Sequence, residues 1–438
     1  MDLKEIKKRI EAIEEKLALI EFEISNIKIW QVLRVDIYSK IISQIFPLSE
    51  TSIKNKKFLI FKRGILNSIK YNPFLDFKTH ENLVFESSRY LYVDNEYIDV
   101  YTKYLCDELR QNNVTFVKYQ CNSLNDIKSK KDSNTKHLDF IILMSLFISK
   151  FYPIKITNNQ EKKICEVAKM FEENFKLKYN FYDKFKNEIK VFKVQLMFYR
   201  ILLKIQKPQK IFFVAYNGRA PLIKAAKEKL IETIELQHGY IMSKDDIIWD
   251  YPLKYVNKLE YFCDKFYQWD NNYLFTAKIP INRQNIVFYG NKFLEKQKIK
   301  YKNVSKIKHQ ILIASQPFLS ELILDYILKN LNTLQDYNII YKLHPTEFST
   351  NFKYFLRNSI SKFTNVHIAD ENESLFFLLS QSQFLISVSS SVTVEALNFN
   401  VKVLLLELPG IEMMEPLISK NLAQKINPSE KLTKFLLN

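Results

Sequence analysis

KIFFVAYNGRAPLIKAAKEKLIETIELQHG, residues 210–239, sets two apolar runs on either side of a segment with helical spacing. KIFFVAYNG and TIELQHG read as strands, because β-branched and aromatic residues suit a pleated, buried surface. Pro221 stands near the start of RAPLIKAAKEKLIE, where its missing N–H is harmless, and opens a helix there. Strand, helix and strand in about thirty residues form the unit that builds a parallel sheet. The second strand ends on His238 and Gly239, in a chain with only five glycines. A tight turn, or a ligand that must come close, calls for glycine at such a place.

The same alternation becomes regular downstream. ILIAS (311–315), NIIYKLHP (338–345), VHIAD (366–370), FLISVS (384–389) and VKVLLLE (401–407) read as strands. ELILDYILKNL (321–331), a segment near 351–361, SLFFLLSQS (374–382) and SVTVEALNF (391–399) read as the helices between them. This pattern predicts a doubly wound parallel sheet. Upstream, KKFLIFKRG (56–64), NLVFES (82–87), YLYVD (90–94) and VTFVKYQ (114–120) read as strands, followed by a polar break at 121–136.

The expected fold class is α/β, with two Rossmann-like domains and an N-terminal helical extension. The first domain covers 31–290 with a helical insertion at about 138–206, a lysine-rich solvated linker covers 291–310, and the second domain covers 311–438. Residues 1–30 carry a stripe of Ile6, Ile10, Ile13, Leu17, Ile20, Ile24 and Ile27, spaced alternately four and three apart. That is a heptad seam, suited to a short coiled coil and a homo-oligomer through residues 6–27, or to one amphipathic helix on its own domain.

Composition narrows the function. A hydrophobic fraction of 47% is ample for packed cores and argues against disorder. Lys+Arg 65 against Asp+Glu 48 gives a net charge of +17, which suits anionic partners, although biased coding explains part of it. Basic and aromatic residues are spread along the chain rather than gathered in a module, so nucleic acid is not expected as a partner. The four cysteines lie far apart, without metal-ligand or disulfide spacing. The charged N-terminus is no signal peptide, and LDFIILMSLFIS (138–149) is too short to span a bilayer. The expected location is cytoplasmic, with lysine-rich faces in 150–210 and 291–310 resting on an anionic membrane surface.

Ligands of open parallel sheets bind outside the carboxyl ends of the strands. There stand KLHPTE, with His344 and Pro345; SVSSSVTVEAL, with Ser389, Ser390, Ser391 and Glu395; YNGRAP, with Arg219; and ELQHG, with Glu235, Gln237, His238 and Gly239. Serines at a strand-to-helix turn can cradle phosphate through hydroxyls and free N–H groups, or serve simply as a cap. A histidine has the intrinsic pKa to take a proton from a hydroxyl near neutral pH. Alternation along the strand places Glu235 and Gln237 on one face and His238 on the other. Neither a dinucleotide fingerprint nor a phosphate loop of NTPase type occurs.

In this order, the E-x-Q-H-G strand end, the L-H-P and the S-S-S-x-x-x-E-A-L before a final V-L-L-L-E strand resemble bacterial capsule and surface-polysaccharide glycosyltransferases of the GT-B arrangement. They are also similar to sialyl- and Kdo-type transferases and to CDP-glycerol glycerophosphotransferases. The resemblance covers about residues 210–420. It implies a nucleotide-sugar donor held by His344, Pro345, the three serines and Glu395, with His238 as general base and Glu235 as second catalytic residue. Gln237, Gly239 and Arg219 would meet the acceptor, a glycan or lipid-linked glycan. No cofactor or metal is implied, since dipoles and side chains can stabilise the leaving phosphate. A nucleotide-sugar 2-epimerase shares the architecture, but SSV replaces its usual Gly-Gly and its doubled glutamate is here Glu395 followed by Ala396.

Overall fold

The computed structural model describes residues 3–45, 57–87, 89–120, 134–241, 247–269 and 277–436. Most of the expected polar break, residues 121–133, lies outside the described residues.

Seven strands form the first sheet: β1 (Asn82–Phe85), β2 (Phe116–Gln120), β3 (Thr135–His137), β4 (Lys210–Val214), β5 (Glu232–Leu236), β6 (Lys265–Gln268) and β7 (Ile286–Phe288). Their spatial order is β3-β2-β1-β4-β5-β6-β7. Six strands form the second: β8 (Gln310–Ala314), β9 (Asn338–Lys342), β10 (Val366–Ile368), β11 (Phe384–Ser387), β12 (Lys402–Leu406) and β13 (Gln424–Ile426). Their order is β10-β9-β8-β11-β12-β13. Every pairing in both sheets is parallel. Each sheet therefore starts at its middle, grows one way for three strands and then grows the other way, which is the Rossmann winding. The fold is α/β with two Rossmann-like domains. The winding reverses between β1 and β4, and again between β8 and β11.

Helices cover both faces, so the central strands are apolar throughout: every residue of β8 and β11 is buried. The N-terminal extension comprises α1 (Leu3–Lys16) and α2 (Ile29–Ile45), followed by α3 (Lys57–Lys70) and α4 (Lys103–Gln111). The region 138–206 holds α5 (Asp139–Ile148), α6 (Asn158–Phe175) and α7 (Phe181–Gln206). A capping box starts α6: Thr157 accepts from the Gln160 amide, and the Gln160 side chain accepts from the Thr157 amide. Next come α8 (Ala220–Lys227) and α9 (Lys292–Lys300). In the second domain α10 (Ser320–Asn330), α11 (Phe352–Ile360), α12 (Leu375–Gln381) and α13 (Val392–Leu397) alternate with the strands.

Three expectations need correction. The heptad seam is not free for a second copy. Ile6, Ile10, Ile13, Ile20, Ile24 and Ile27 are buried in the first domain's own core, and the helix stops at Lys16. Burial in cis removes the apolar stripe a coiled coil needs. The expected strand 56–64 is not one where it is described; residues 57–64 belong to α3, whose buried face is Gly64, Asn67 and Ser68. Residues 291–310 are not simply a solvated linker, because α9 inserts Phe293 and Leu294 into the second domain's core. YLYVD is a strand as expected, but one outside the main sheet, in an antiparallel hairpin of Tyr90–Val93 with Glu96–Asp99. Strands β3, β6, β7 and β13 have only three or four residues each, too short to mark themselves as strands.

That hairpin closes the molecule. It leaves the rim of the first sheet, and Val93, Ile98, Val100 and Tyr104 pack on the second domain's core beside α9. Lys300 of α9 pairs with Asp94 at the hairpin tip at 2.6 Å. Ring contact between Tyr104 and Phe293, with centroids 6.4 Å apart, adds to the seam.

Candidate active site between the two sheet rims

In the second domain the winding reverses at the exits of β8 and β11. Gln316, just past β8, binds this point together. Its Oε1 accepts from the amides of Val388 (3.2 Å) and Ser389 (2.8 Å), and its Nε2 donates to Ser389 Oγ at 3.1 Å. Ser389 and Ser390 are half-buried and Ser391 is exposed. Ser391 precedes α13 without capping it through its side chain, and α13 is only six residues long. Any phosphate preference here therefore comes from local N–H and hydroxyl groups more than from a long helix dipole. Glu395, one turn on, accepts no side-chain hydrogen bond from a described residue. Burial pushes its pKa up to about 7.

His344 follows β9, and Pro345 opens a short 3-10 turn after it. Glu347 holds this loop from below. It is buried, accepts from the His344 amide at 2.6 Å, and also accepts from Ser315 and Ser320. The amide of Thr346 donates to His344 Nδ1 at 3.3 Å. Nδ1 is thus an acceptor, and Nε2 carries the proton of the neutral ring. Burial and then the charge of Arg89 lower this pKa, so the neutral donor form is the one present at pH 7.

His238 follows β5 inside an aromatic collar. The Tyr101 ring meets it edge-on with centroids 6.3 Å apart, and Trp249 lies at 5.7 Å. Its Nδ1 is buried with no hydrogen-bond partner among the described residues. Burial, with Arg89 adding to it, lowers the pKa to about 4. The ring is neutral at physiological pH and ready to accept a proton.

One cation, Arg89, acts on both histidines. It is exposed, lies just before the hairpin, and its charge bears on the Tyr101 hydroxyl as well. Tyr101 in turn feels the carboxyl of Glu395. His238 thus stands at the exit of β5, His344 at the exit of β9 and Glu395 in α13, with the charge of Arg89 bearing on both rings. Asp99 fixes the arrangement by accepting from the amides of Ser87 (2.7 Å), Tyr101 (3.1 Å) and Thr102 (3.2 Å). An aromatic hollow adjoins the end of β5. It is lined by Tyr101, Tyr104, Tyr267, Trp269 and Tyr289, and includes none of His238, His344 and the serines.

Other expected site residues have structural duties. Glu235 is fully buried within β5; its Oε1 accepts from the Tyr216 amide at 3.0 Å and holds the exit of β4. Burial raises its pKa well above the usual range. Gln237 is buried as well, donating to the Gly239 carbonyl and accepting from the Trp269 amide, both at 2.7 Å. Arg219 donates to the Glu86 carbonyl at 3.1 Å and lies over the Phe85 ring, so it braces the reversal point between β1 and β4. Arg89, Tyr101 and Gln316 carry no local signal, because their positions follow only from the hairpin and the sheet winding. Glu347, in KLHPTE, stood in view without a role.

Gly239 answers the opening puzzle differently than expected. It does not occupy the left-handed region, and an added Cβ would meet nothing within 4 Å. A tight turn is not its reason; open space remains. Gly239→Ala should therefore keep the folded protein intact, shifting stability by no more than about 1 kcal/mol in thermal unfolding. A loss of several kcal/mol would show a hidden backbone need.

No protein-family model matches the sequence, and no curated protein matches it. Solved structures similar to it include UDP-GlcNAc 2-epimerase from Methanocaldococcus jannaschii, at 11% identity over 80% of this chain and 88% of that one, with a TM-score of 0.45. MurG from Acinetobacter baumannii is 11% identical over 82% and 91% of the two chains, with a TM-score of 0.44. CalG4, the calicheamicin glycosyltransferase, is 8% identical over 80% and 86%, with a TM-score of 0.43. A likeness of this degree assigns neither an activity nor a residue. Among the described residues no cluster of three or more His, Cys, Asp or Glu is placed to hold a metal ion.

Proposed function

We propose that the protein is a glycosyltransferase that moves a sugar from a nucleotide-activated donor to a hydroxyl of a surface glycan. The reading is supported by one observation: His238 and His344 stand at strand exits of the two Rossmann-like domains, and the charge of Arg89 bears on both rings. The donor's phosphate would rest on Ser389 and Ser390, with the Nε2–H of His344 and the Arg89 guanidinium neutralising charge as the anomeric C–O bond breaks. Glu395, held near neutrality, would meet the ribose or base. His238 would take the proton of the acceptor hydroxyl as its oxygen bonds to the anomeric carbon, and the nucleotide would leave as the phosphate anion. Lipid-linked acceptors, as in capsule or lipooligosaccharide growth, fit the basic surface.

The deciding experiment incubates the protein with CMP-, CDP-, UDP- and GDP-sugars without acceptor. Slow release of free nucleotide from one of them is expected of a transferase. Conversion to an epimeric sugar would make the protein a 2-epimerase instead. Ser390→Ala and His344→Ala should each weaken binding of that nucleotide by on the order of tenfold, as loss of a phosphate hydrogen bond does. Unchanged affinity in calorimetry would remove them from the donor pocket.

A further inference from the structure

Helix α3 is built with its faces reversed. Its buried side carries Gly64, Asn67 and Ser68, with Asn67 donating to buried Asp139 at 3.3 Å, while Phe61, Ile65 and Ile69 follow one another at four-residue spacing on the exposed side. Those three are 54%, 42% and 69% exposed. Helix α3 packs on α5, and α5 on α7. The end of α5 and the turn after it continue the theme: Phe147 and Phe151 are 59% and 75% exposed, with ring centroids 5.7 Å apart. Large apolar groups standing together in water are unfavourable unless something covers them.

We infer that this face, formed by α3 and by residues 146–156, docks on the surface of an anionic membrane. Charge separates this occupant from a protein partner. Between residues 57 and 70, and between 140 and 156, the sequence contains no Asp or Glu. Lys62, Lys70, Lys150 and Lys155 are exposed among the apolar residues. Protein–protein interface cores are depleted in lysine, whereas interfacial membrane helices combine bulky apolar groups with lysines that reach the headgroups. The chain's surplus of +17 adds long-range attraction to such a surface. Among the described residues no helix is long and apolar enough to cross a membrane, so the contact is one of lying on the surface. The face is distinct from the lysine-rich stretch 291–310, where α9 is partly built into the second domain. A transferase anchored this way would meet a lipid-linked acceptor without releasing into solution, and the docking does not depend on that reading.

Flotation with vesicles of phosphatidylcholine, with and without a minor fraction of phosphatidylglycerol, tests it. The protein should float with the anionic vesicles, and hydrogen exchange in 57–70 and 139–156 should slow when they are added. The double variants Ile65→Glu/Ile69→Glu and Phe147→Glu/Phe151→Glu should each lose on the order of tenfold or more in vesicle affinity. Circular dichroism and nucleotide binding of the same variants report whether they are folded, which separates failure of docking from failure of the donor site. Wild-type affinity retained by both variants, or no binding of the wild type to anionic vesicles, would overturn the inference. So would a dimer in light scattering that the same substitutions dissolve, since a second copy would then be the occupant.

Discussion

Replacing His238 with alanine is expected to slow glycosyl transfer by on the order of 10²–10⁴-fold while leaving donor affinity within about twofold. The reason is positional. In the proposed site His238 serves the acceptor and the serines and His344 the donor, so its loss would remove a proton acceptor and not a donor contact. Its pKa of about 4 adds a signature in pH. The base form is the deprotonated ring, and lowering the pKa extends that form toward acid. On its account, kcat/KM should stay flat from neutrality down to about pH 5 and fall only near pH 4, not near the usual histidine value of about 6.5. Measured pH profiles of wild type and His238→Ala decide this. An unchanged rate in the variant, or a wild-type limb at 6.5 that the variant loses, would contradict the environment described.

The second large effect concerns stability. Inside the first domain, Glu14 and Arg34 form an ion pair at 2.6 Å with side chains 3% and 1% exposed. Glu14 also accepts from Trp30 Nε1 at 2.7 Å. Arg34 donates to the Ile247 carbonyl as well and lies over the Tyr251 ring. Burial works against the guanidinium charge, but Glu14 and then Tyr251 more than offset it, so its pKa is raised. Glu14→Ala would strand a buried cation and should destabilise the domain by about 3–5 kcal/mol in urea unfolding. Replacing both partners by methionine should destabilise it less than Glu14→Ala alone, because no charge is then left unpaired. A single-variant loss under about 1 kcal/mol would mean that water reaches Arg34. This pair also explains why α1 belongs to the domain: Lys7 of the same helix pairs with Asp250 at 2.9 Å.

Where burial on both sheet faces demanded continuous apolar runs, the sequence could be read directly. The exits of β4, β5, β8, β9, β11 and β12 were legible for that reason, and His238, His344 and the serines with them. Strands such as β3, with the sequence TKH, and β13, with QKI, obtain their conformation from neighbours and carry no local signal. Helix α3 misled because its apolar residues face outward, so periodicity could not reveal an inward side made of Gly64, Asn67 and Ser68. The heptad stripe was real, but nothing in its spacing says whether another chain or its own domain covers it. In the site, alternation along β5 could not tell that Glu235 and Gln237 would bind main-chain groups. Arg89 was invisible because its importance is entirely tertiary.

The most direct test is calorimetric titration of CMP, CDP, UDP and GDP against wild type and Arg89→Ala. One nucleotide should bind the wild type, with affinity that falls as salt is added, and the variant should bind it on the order of tenfold or more weakly. Equal binding by both proteins, or no binding of any of the four, would contradict a phosphate site shared between the two rims.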